Sequence, residues 1–420
     1  MSGRAFAELA AELASGATPN GVELLKRNRA RAIARAGDVL LKVYLAKPGT
    51  SGREAAALVE AGARGIPVPE LLEADDGWTA TRWQAGARPA ARADLPLLLR
   101  AIDDAHRRGM LHGDLHLGNL LVSGDRVVFL DLQRARFLPW LPHWLRRREL
   151  GFFAYSLLDP LPPELERVRF WRNRRAQRRW RSRTDRCLAE TGAFTAFEHA
   201  RERGFRARDV DPGDLGASLS GLEQVTPLKT GPNGRLFRRP PWIVKEFPSA
   251  ADAKRTWVGG NGLLARGIGA CRPVAWAGRW LVMEDGGPTL SDWVDADFAN
   301  ATDAARREMA HALGTLLARL HARGVYHADL KANNVVWRPG QTPRLLDYGS
   351  VRFGSRVSRR RRVKNLAQLN AALPDAVPGE LREAALATYL AESERGDEAA
   401  ALRRDVISES LRRAHRWSGC

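Results

Sequence analysis

The chain repeats itself once, and that repeat sets the terms for any fold. Leu25-Lys26 precedes Lys42, and Leu228-Lys229 precedes Lys245 at the same offset. Ala63-Arg64-Gly65-Ile66 returns as Ala265-Arg266-Gly267-Ile268. Arg107-Arg108-Gly109 before His112 matches Ala322-Arg323-Gly324 before His327. The copies lie roughly 200 residues apart, far beyond the periods of about 20–50 residues that mark solenoids and propellers. This spacing means duplicated domains rather than an array.

Each copy reads in the same order. Val39 to Tyr44 and Trp242 to Phe247 are short apolar runs rich in β-formers, hence strands. A helix is expected after each, over 51–64 and 250–266, stopped by Gly65-Ile66 and Gly267-Ile268. Strands follow near 79–83 and 279–284, then long apolar-periodic helices over 94–108 and 302–323. A polar loop and two short strands come next, 119–123 with 127–131 and 334–338 with 343–347. The remainder is helical. A strand-rich first half and a helical second half make an α+β plan: two tandem bilobal units, each with a small β-rich N-lobe and a helical C-lobe. Asp209 to Gly221 is rich in Gly, Asp, Pro and Ser, the composition of a linker. The expected units are therefore 1–205 and 206–420.

Composition excludes several classes. Hydrophobic residues make up 44% and charged residues 27%, which fits packed cores and not a disordered chain. No apolar run is long enough for a transmembrane helix, and Met1 to Gly16 lacks the uninterrupted apolar stretch of a secretory signal. Cys187, Cys271 and Cys420 are odd in number and far apart, which argues against a disulfide framework or structural zinc and for a reducing cytoplasm. The net charge of +19 either attracts anionic partners, which it does not name, or reflects an arginine-rich, solvated surface.

The polar loops carry the chemistry. In the first copy His112-Gly113-Asp114 is followed by Asn119 and, at the end of an apolar run, by Asp131. In the second copy His327-Ala328-Asp329 is followed by Asn334 and, after Leu345-Leu346, by Asp347. Phosphoryl transfer needs little covalent help from a protein. It needs cations bridging phosphate oxygens and an acceptor hydroxyl held in line. A carboxylate and an amide oxygen on adjacent short strands can bind a hard cation from two sides. A further carboxylate on the loop between them can orient the hydroxyl and take its proton. A strand-borne lysine, Lys42 or Lys245, can reach the nucleotide phosphates. His112 and His327 read as braces of the loop rather than proton carriers.

These residues resemble the protein-kinase-like superfamily and, more narrowly, the bacterial lipopolysaccharide-core sugar kinases that phosphorylate heptose or Kdo (3-deoxy-manno-octulosonic acid). Asp131-Leu132-Gln133-Arg134-Ala135-Arg136 is similar to the heptose-kinase pattern at the second Asp. Tyr326-His327-Ala328-Asp329-Leu330 resembles the Kdo-kinase catalytic loop, and Ala253-Lys254-Arg255-Thr256-Trp257 resembles that group's first helix. The resemblance covers roughly 22–158 and 225–375. It implies an ATP-dependent phosphotransferase using Mg²⁺, with Asp114 and Asp329 as catalytic bases. Asn119, Asp131, Asn334 and Asp347 would hold metal. Lys42 and Lys245 would meet nucleotide phosphate with Glu54 pairing Lys42, and Lys331 would add a positive charge beside the transferring phosphoryl.

The pattern has departures. Neither copy has a full G-x-G-x-x-G; the second offers Gly231 and Gly234 at its hairpin. Glu54 has no acidic counterpart where Thr256 and Trp257 stand, and Asp252 is the nearest acidic substitute. Arginine fills half of the positions from Arg167 to Arg186, with Phe170, Trp171 and Trp180 interleaved. Such a helix suits anionic lipid or glycan, and a solvated surface equally. Arg359 to Lys364 is a second basic run just after Asp347. The implied acceptor is a lipopolysaccharide-core glycolipid or another anionic glycan, met peripherally at the inner face of the cytoplasmic membrane; nucleic acid is not expected. The alternatives are a protein Ser/Thr kinase, which Lys331 favours, and a nucleotide-binding pseudokinase scaffold in one or both units.

Overall fold

The computed structural model describes residues 3–157, 161–393, 399–413 and 416–418; Cys420 lies outside them. The chain divides into two compact units, Met1–Ala176 and Gln177–Cys420.

In the first unit, apolar alternation builds a five-stranded antiparallel sheet. Its order is Glu23–Arg27, Arg31–Ala36, Val39–Tyr44, Trp78–Arg82, Leu71–Asp75. Arg31–Ala36 alternates half-buried and buried residues, as a strand with one covered face should. Helix Gly3–Ser15 covers that face, with Phe6, Ala10 and Leu13 against Leu41, Val43 and Trp78. Lys42 stands mid-strand, opposite Ile33 on one side and Thr79 on the other. Helix Thr50–Ala63 follows, and helix Leu95–Arg107 packs Leu98 and Ile102 into a second core with Leu120, Phe129 and Phe153. Strands Leu120–Ser123 and Arg126–Phe129 form the hairpin that ends beside Asp131.

The second unit carries a seven-stranded antiparallel sheet. Its order is Phe194–His199, Glu202–Ala207, Pro273–Ala277, Trp280–Glu284, Trp242–Glu246, Gly234–Arg239, Lys229–Gly231. Helices Ala250–Ala265 and Asp303–Ala322 match the expected spans within a residue or two. Helices Arg359–Ala372, Gly379–Glu392 and Ala399–Leu411 complete the helical part. Trp257, Trp337, Tyr348 and Tyr389 are fully buried in its core.

The observed division lies N-terminal to the junction expected at 205/206, because Phe194–His199 and Glu202–Ala207 form a hairpin that extends the second sheet through Pro273–Ala277. The linker-like stretch is also ordered structure. Asp211 caps helix Pro212–Leu219 by accepting the N–H groups of Gly213 and Asp214, and Leu215 and Leu219 pack beside Phe237 and Val244. Asp, Pro and Gly are the residues of linkers and of helix starts alike. The basic run from Arg167 lies largely in helix Arg169–Asp185. Arg359 to Lys364 opens helix Arg359–Ala372, where Arg362 is buried and Arg361 lies over the Tyr326 ring. That run is therefore partly structural and not a uniformly solvated patch.

Candidate active site

In the first unit three elements converge. Strand Val39–Tyr44 supplies Lys42, helix Thr50–Ala63 supplies Glu54, and the hairpin end supplies Asp131. Lys42 Nζ lies 2.5 Å from Glu54 Oε1 and 3.4 Å from Asp131 Oδ1. Burial pushes the Glu54 carboxyl up, and this outweighs the pull of the neighbouring Lys42. Burial also acts to raise Asp131, but Lys42 and Arg31 together hold it below its ordinary value. In the second unit Lys245 Nζ lies 3.3 Å from Asp347 Oδ1 and over the Phe247 ring at 4.5 Å.

Among the described residues no acidic group takes the place of Glu54 beside Lys245. Trp257, at the matching helix position, is buried and donates Nε1–H to the Cys187 carbonyl. Asp252 accepts from Ser249 Oγ at the helix start and pairs with Arg255, so it is not the substitute for Glu54.

Asp131 and Asp347 share a rare backbone state. Their φ values are 61° and 46°, in the left-handed region. A residue with a Cβ stays there at a cost on the order of 1 kcal/mol, and only where its surroundings fix it.

The loops before them are built alike. His112 Nε2 donates to the Leu130 carbonyl at 2.9 Å, and its Nδ1 accepts the Asp114 N–H at 3.3 Å. His327 Nε2 faces the Leu346 carbonyl at 3.5 Å, and its Nδ1 accepts the Asp329 N–H at 3.3 Å. These roles require neutral imidazoles, and burial holds His327 below its ordinary pKa. Asn119 Nδ2 donates to the Asp114 carbonyl at 3.0 Å; Asn334 Nδ2 donates to the Asp329 carbonyl at 2.8 Å. With its nitrogen so used, each amide keeps its oxygen as an acceptor for a cation. Lys331 Nζ lies 3.0 Å from Asp329 Oδ2.

Sequence reasoning missed the residues that hold these loops. Glu149, on helix His143–Tyr155, accepts the Gly113 N–H at 2.7 Å and pairs with His106 at 2.9 Å. In the second unit Asn365 both donates to the His327 carbonyl and accepts its N–H, while Gln368 donates to the Ala328 carbonyl. No spacing motif links them to their loops; a polar residue on an apolar helix face was the available signal.

The two sites differ in charge. Among the described residues Asp347 has one cation paired with it, Lys245, and a side chain 42% exposed. Its carboxylate and the Asn334 amide offer hard oxygens, and Mg²⁺ needs few protein ligands because it keeps waters and phosphate oxygens around it. The second site therefore fits such an ion. In the first unit Arg31 Nη1 lies 3.1 Å from both oxygens of Asp131, whose side chain is only 13% exposed. Arg175 sits 3.5 Å from Asp114 Oδ1. Two like unit charges 4 Å apart repel by about 4 kcal/mol at an effective dielectric constant of about 20, and a dication doubles this. A divalent ion at Asp131 would meet both Arg31 and Lys42, so the first site does not fit one.

Residues 280–389 match the family model for the lipopolysaccharide kinase (Kdo/WaaP) family, and residues 9–141 match the phosphotransferase enzyme family. The protein is an ATP-dependent kinase. It has a mixed helix-and-sheet, kinase-like fold and resembles the lipopolysaccharide kinases. No curated protein matches the kinase. Solved structures similar to it include a choline/ethanolamine kinase family protein from Mesorhizobium loti, 20% identical, covering 41% of this chain and 79% of that one at a TM-score of 0.31. The bifunctional kinase-methyltransferase WbdD is 22% identical, covering 43% of this chain and 47% of WbdD at a TM-score of 0.30. Likeness at this level says nothing of substrate. No described helix is long and apolar enough to cross a membrane.

Proposed function

We propose that the kinase is a tandem of two kinase-like units and that the second transfers the γ-phosphoryl group of ATP to a sugar hydroxyl, heptose or Kdo, of the lipopolysaccharide core. The observation that carries this is the second loop: Asp329, Lys331, Asn334 and Asp347, all within the segment 280–389 that is similar to lipopolysaccharide kinases, with Asp347 beside Lys245.

Each residue has a task. Asp329 receives the acceptor hydroxyl and takes its proton. It can do so because Asn334 and His327 fix its backbone and the side chain is half exposed. Lys331 places its ammonium beside that carboxylate, where charge develops on the transferring group. Lys245 reaches the nucleotide phosphates. Asn334 and Asp347 would hold Mg²⁺, which when bound neutralises phosphate charge. Asn365 and Gln368 hold the loop so that these groups need not reorganise during transfer.

The first unit favours a second role. Its Asp114 and Asp131 are both engaged by arginines, which supports a nucleotide-binding pseudokinase there. The test is to incubate the full chain with labelled ATP and lipopolysaccharide from a host lacking core kinases, then map the labelled sugar. Label on a core heptose or Kdo supports the proposal. Label on added protein but not on glycan would replace it with a protein kinase.

A further inference from the structure

We propose that Arg31 stands in for a metal ion at Asp131, so that the first unit takes a nucleoside triphosphate without a divalent cation. The inference rests on reading the first unit as a nucleotide site.

Register gives the first argument. Ile33 pairs with Lys42, and Arg31 stands two residues before Ile33. Leu236 pairs with Lys245, and Gly234 stands two residues before Leu236. The two positions are equivalent in their strands, and they hold opposite residues. Arg31 carries its guanidinium to Asp131. Gly234 has φ +104° and a Cβ there would lie 1.9 Å from the Glu246 carbonyl oxygen, so no arginine fits. The second unit leaves its aspartate open by the same choice that lets the first close its own.

Chemistry gives the second. A guanidinium carries its donors in a rigid fork. Arg31 uses Nη1 on both carboxylate oxygens, and its other donors suit phosphate oxygens, which arginine meets in paired bonds. Arg31 and Lys42 thus form a permanent cationic pair anchored by Asp131 and Glu54. A cation that comes with the fold makes one that comes from solution redundant.

The full chain and the non-hydrolysable analogue AMP-PNP provide the test. Electron paramagnetic resonance with Mn²⁺ counts bound metal, and calorimetry measures nucleotide affinity with Mg²⁺ or with EDTA. The wild type is expected to hold one nucleotide-dependent Mn²⁺ per chain, lost in Asp347→Asn. Asp347→Asn is expected to bind AMP-PNP with an affinity that changes less than about twofold between Mg²⁺ and EDTA. Adding Arg31→Gln, with unchanged circular dichroism, should weaken that metal-free binding by about tenfold, or 1.4 kcal/mol. The proposal is overturned if the wild type holds two Mn²⁺ and Asp131→Asn removes one, since Arg31 then yields to metal. It is overturned as well if Asp347→Asn binds nucleotide only with Mg²⁺, or not at all. Failure of the kinase reading looks different: wild type that binds no nucleotide under either condition.

Discussion

Lys42 Nζ lies 2.5 Å from Glu54 Oε1, and the other oxygen of that carboxylate is buried with no hydrogen-bond partner among the described residues. The pair is strong in contact and poor in solvation. Removing one partner leaves the other buried, so Glu54→Ala should destabilise the first unit by about 3 kcal/mol; Asp131 still touches Lys42, which keeps the loss at the low end for a buried pair. Glu54→Gln should also change the pH profile. A carboxyl raised by burial binds more protons folded than unfolded, so its contribution falls as pH rises above 4.5. Urea unfolding from pH 4.5 to 7 should show stability rising more steeply, or falling less, in Glu54→Gln than in wild type. Parallel curves would mean that Glu54 is ionised throughout.

His327 gives the opposite sign. Burial lowers its pKa from 6.5, so the folded state holds fewer protons than the unfolded one as the medium acidifies. Stability from this residue is fully present above pH 6.5 and declines below it. His327→Leu should flatten that decline between pH 6.5 and 5 while lowering stability at pH 7.5 by about 1–3 kcal/mol, because the Asp329 N–H loses its acceptor. Thermal unfolding at several pH values would show it. A mutant curve with the wild-type slope would rule His327 out as the titrating group.

Asn365 and Gln368 are positioning residues, and their loss should separate stability from chemistry. Asn365→Ala strips two bonds from the His327 backbone and should cost about 2–3 kcal/mol. At temperatures where the variant remains folded, kcat should fall by about tenfold or more with little change in the KM for ATP, because Asp329 loses orientation and Lys245 does not. A rise in KM with kcat intact would make the residue part of the nucleotide site instead.

Much of this was legible in the chain because phosphoryl transfer confines its groups to short spacings. Asp114 to Asn119 and Asp329 to Asn334 each close a local hydrogen bond, so the sequence shows both ends of one interaction. Arg31 showed nothing, since its partner is a hundred residues away and their meeting depends on strand register. The hairpin at 194–207 was hidden for a similar reason: its second strand pairs with Pro273–Ala277, far along the chain. Asp211 and Pro212 misled through chemistry, because a helix cap and a linker use the same residues.

Exposed aromatics beside arginine make a membrane test worthwhile. Trp140, Trp144 and Phe170 are 69%, 54% and 66% exposed, and Phe170 opens the arginine-rich helix. Interfacial binding combines aromatic insertion with attraction to anionic lipid. The full chain should bind vesicles containing phosphatidylglycerol and bind less as salt rises, since the Debye length is about 10 Å at 0.1 M. Replacing the three aromatics by serine should weaken binding at every salt concentration. Equal binding to neutral and anionic vesicles would defeat the electrostatic part.

The two loops should not share one task. Asp329 has a lysine beside it that can also meet a transferring phosphoryl, and its side chain is 48% exposed. Asp114 has Arg175 beside it, at 24% exposure, and Gly118 and His116 where the second loop has Asn333 and Lys331. Asp329→Asn keeps shape and hydrogen bonding but cannot take a proton, so sugar phosphorylation should drop by about 10² or more. Asp114→Asn should leave that rate within about twofold, because no proton transfer passes through it. Arg175→Ala distinguishes an idle base from a blocked one. If Asp114 is held back by its arginine, removing the guanidinium should create a second labelled product that Asp114→Asn then abolishes. With no new product, the first unit serves nucleotide binding alone. If Asp114→Asn and Asp329→Asn each halve the same product, the loops are redundant and the division of labour fails.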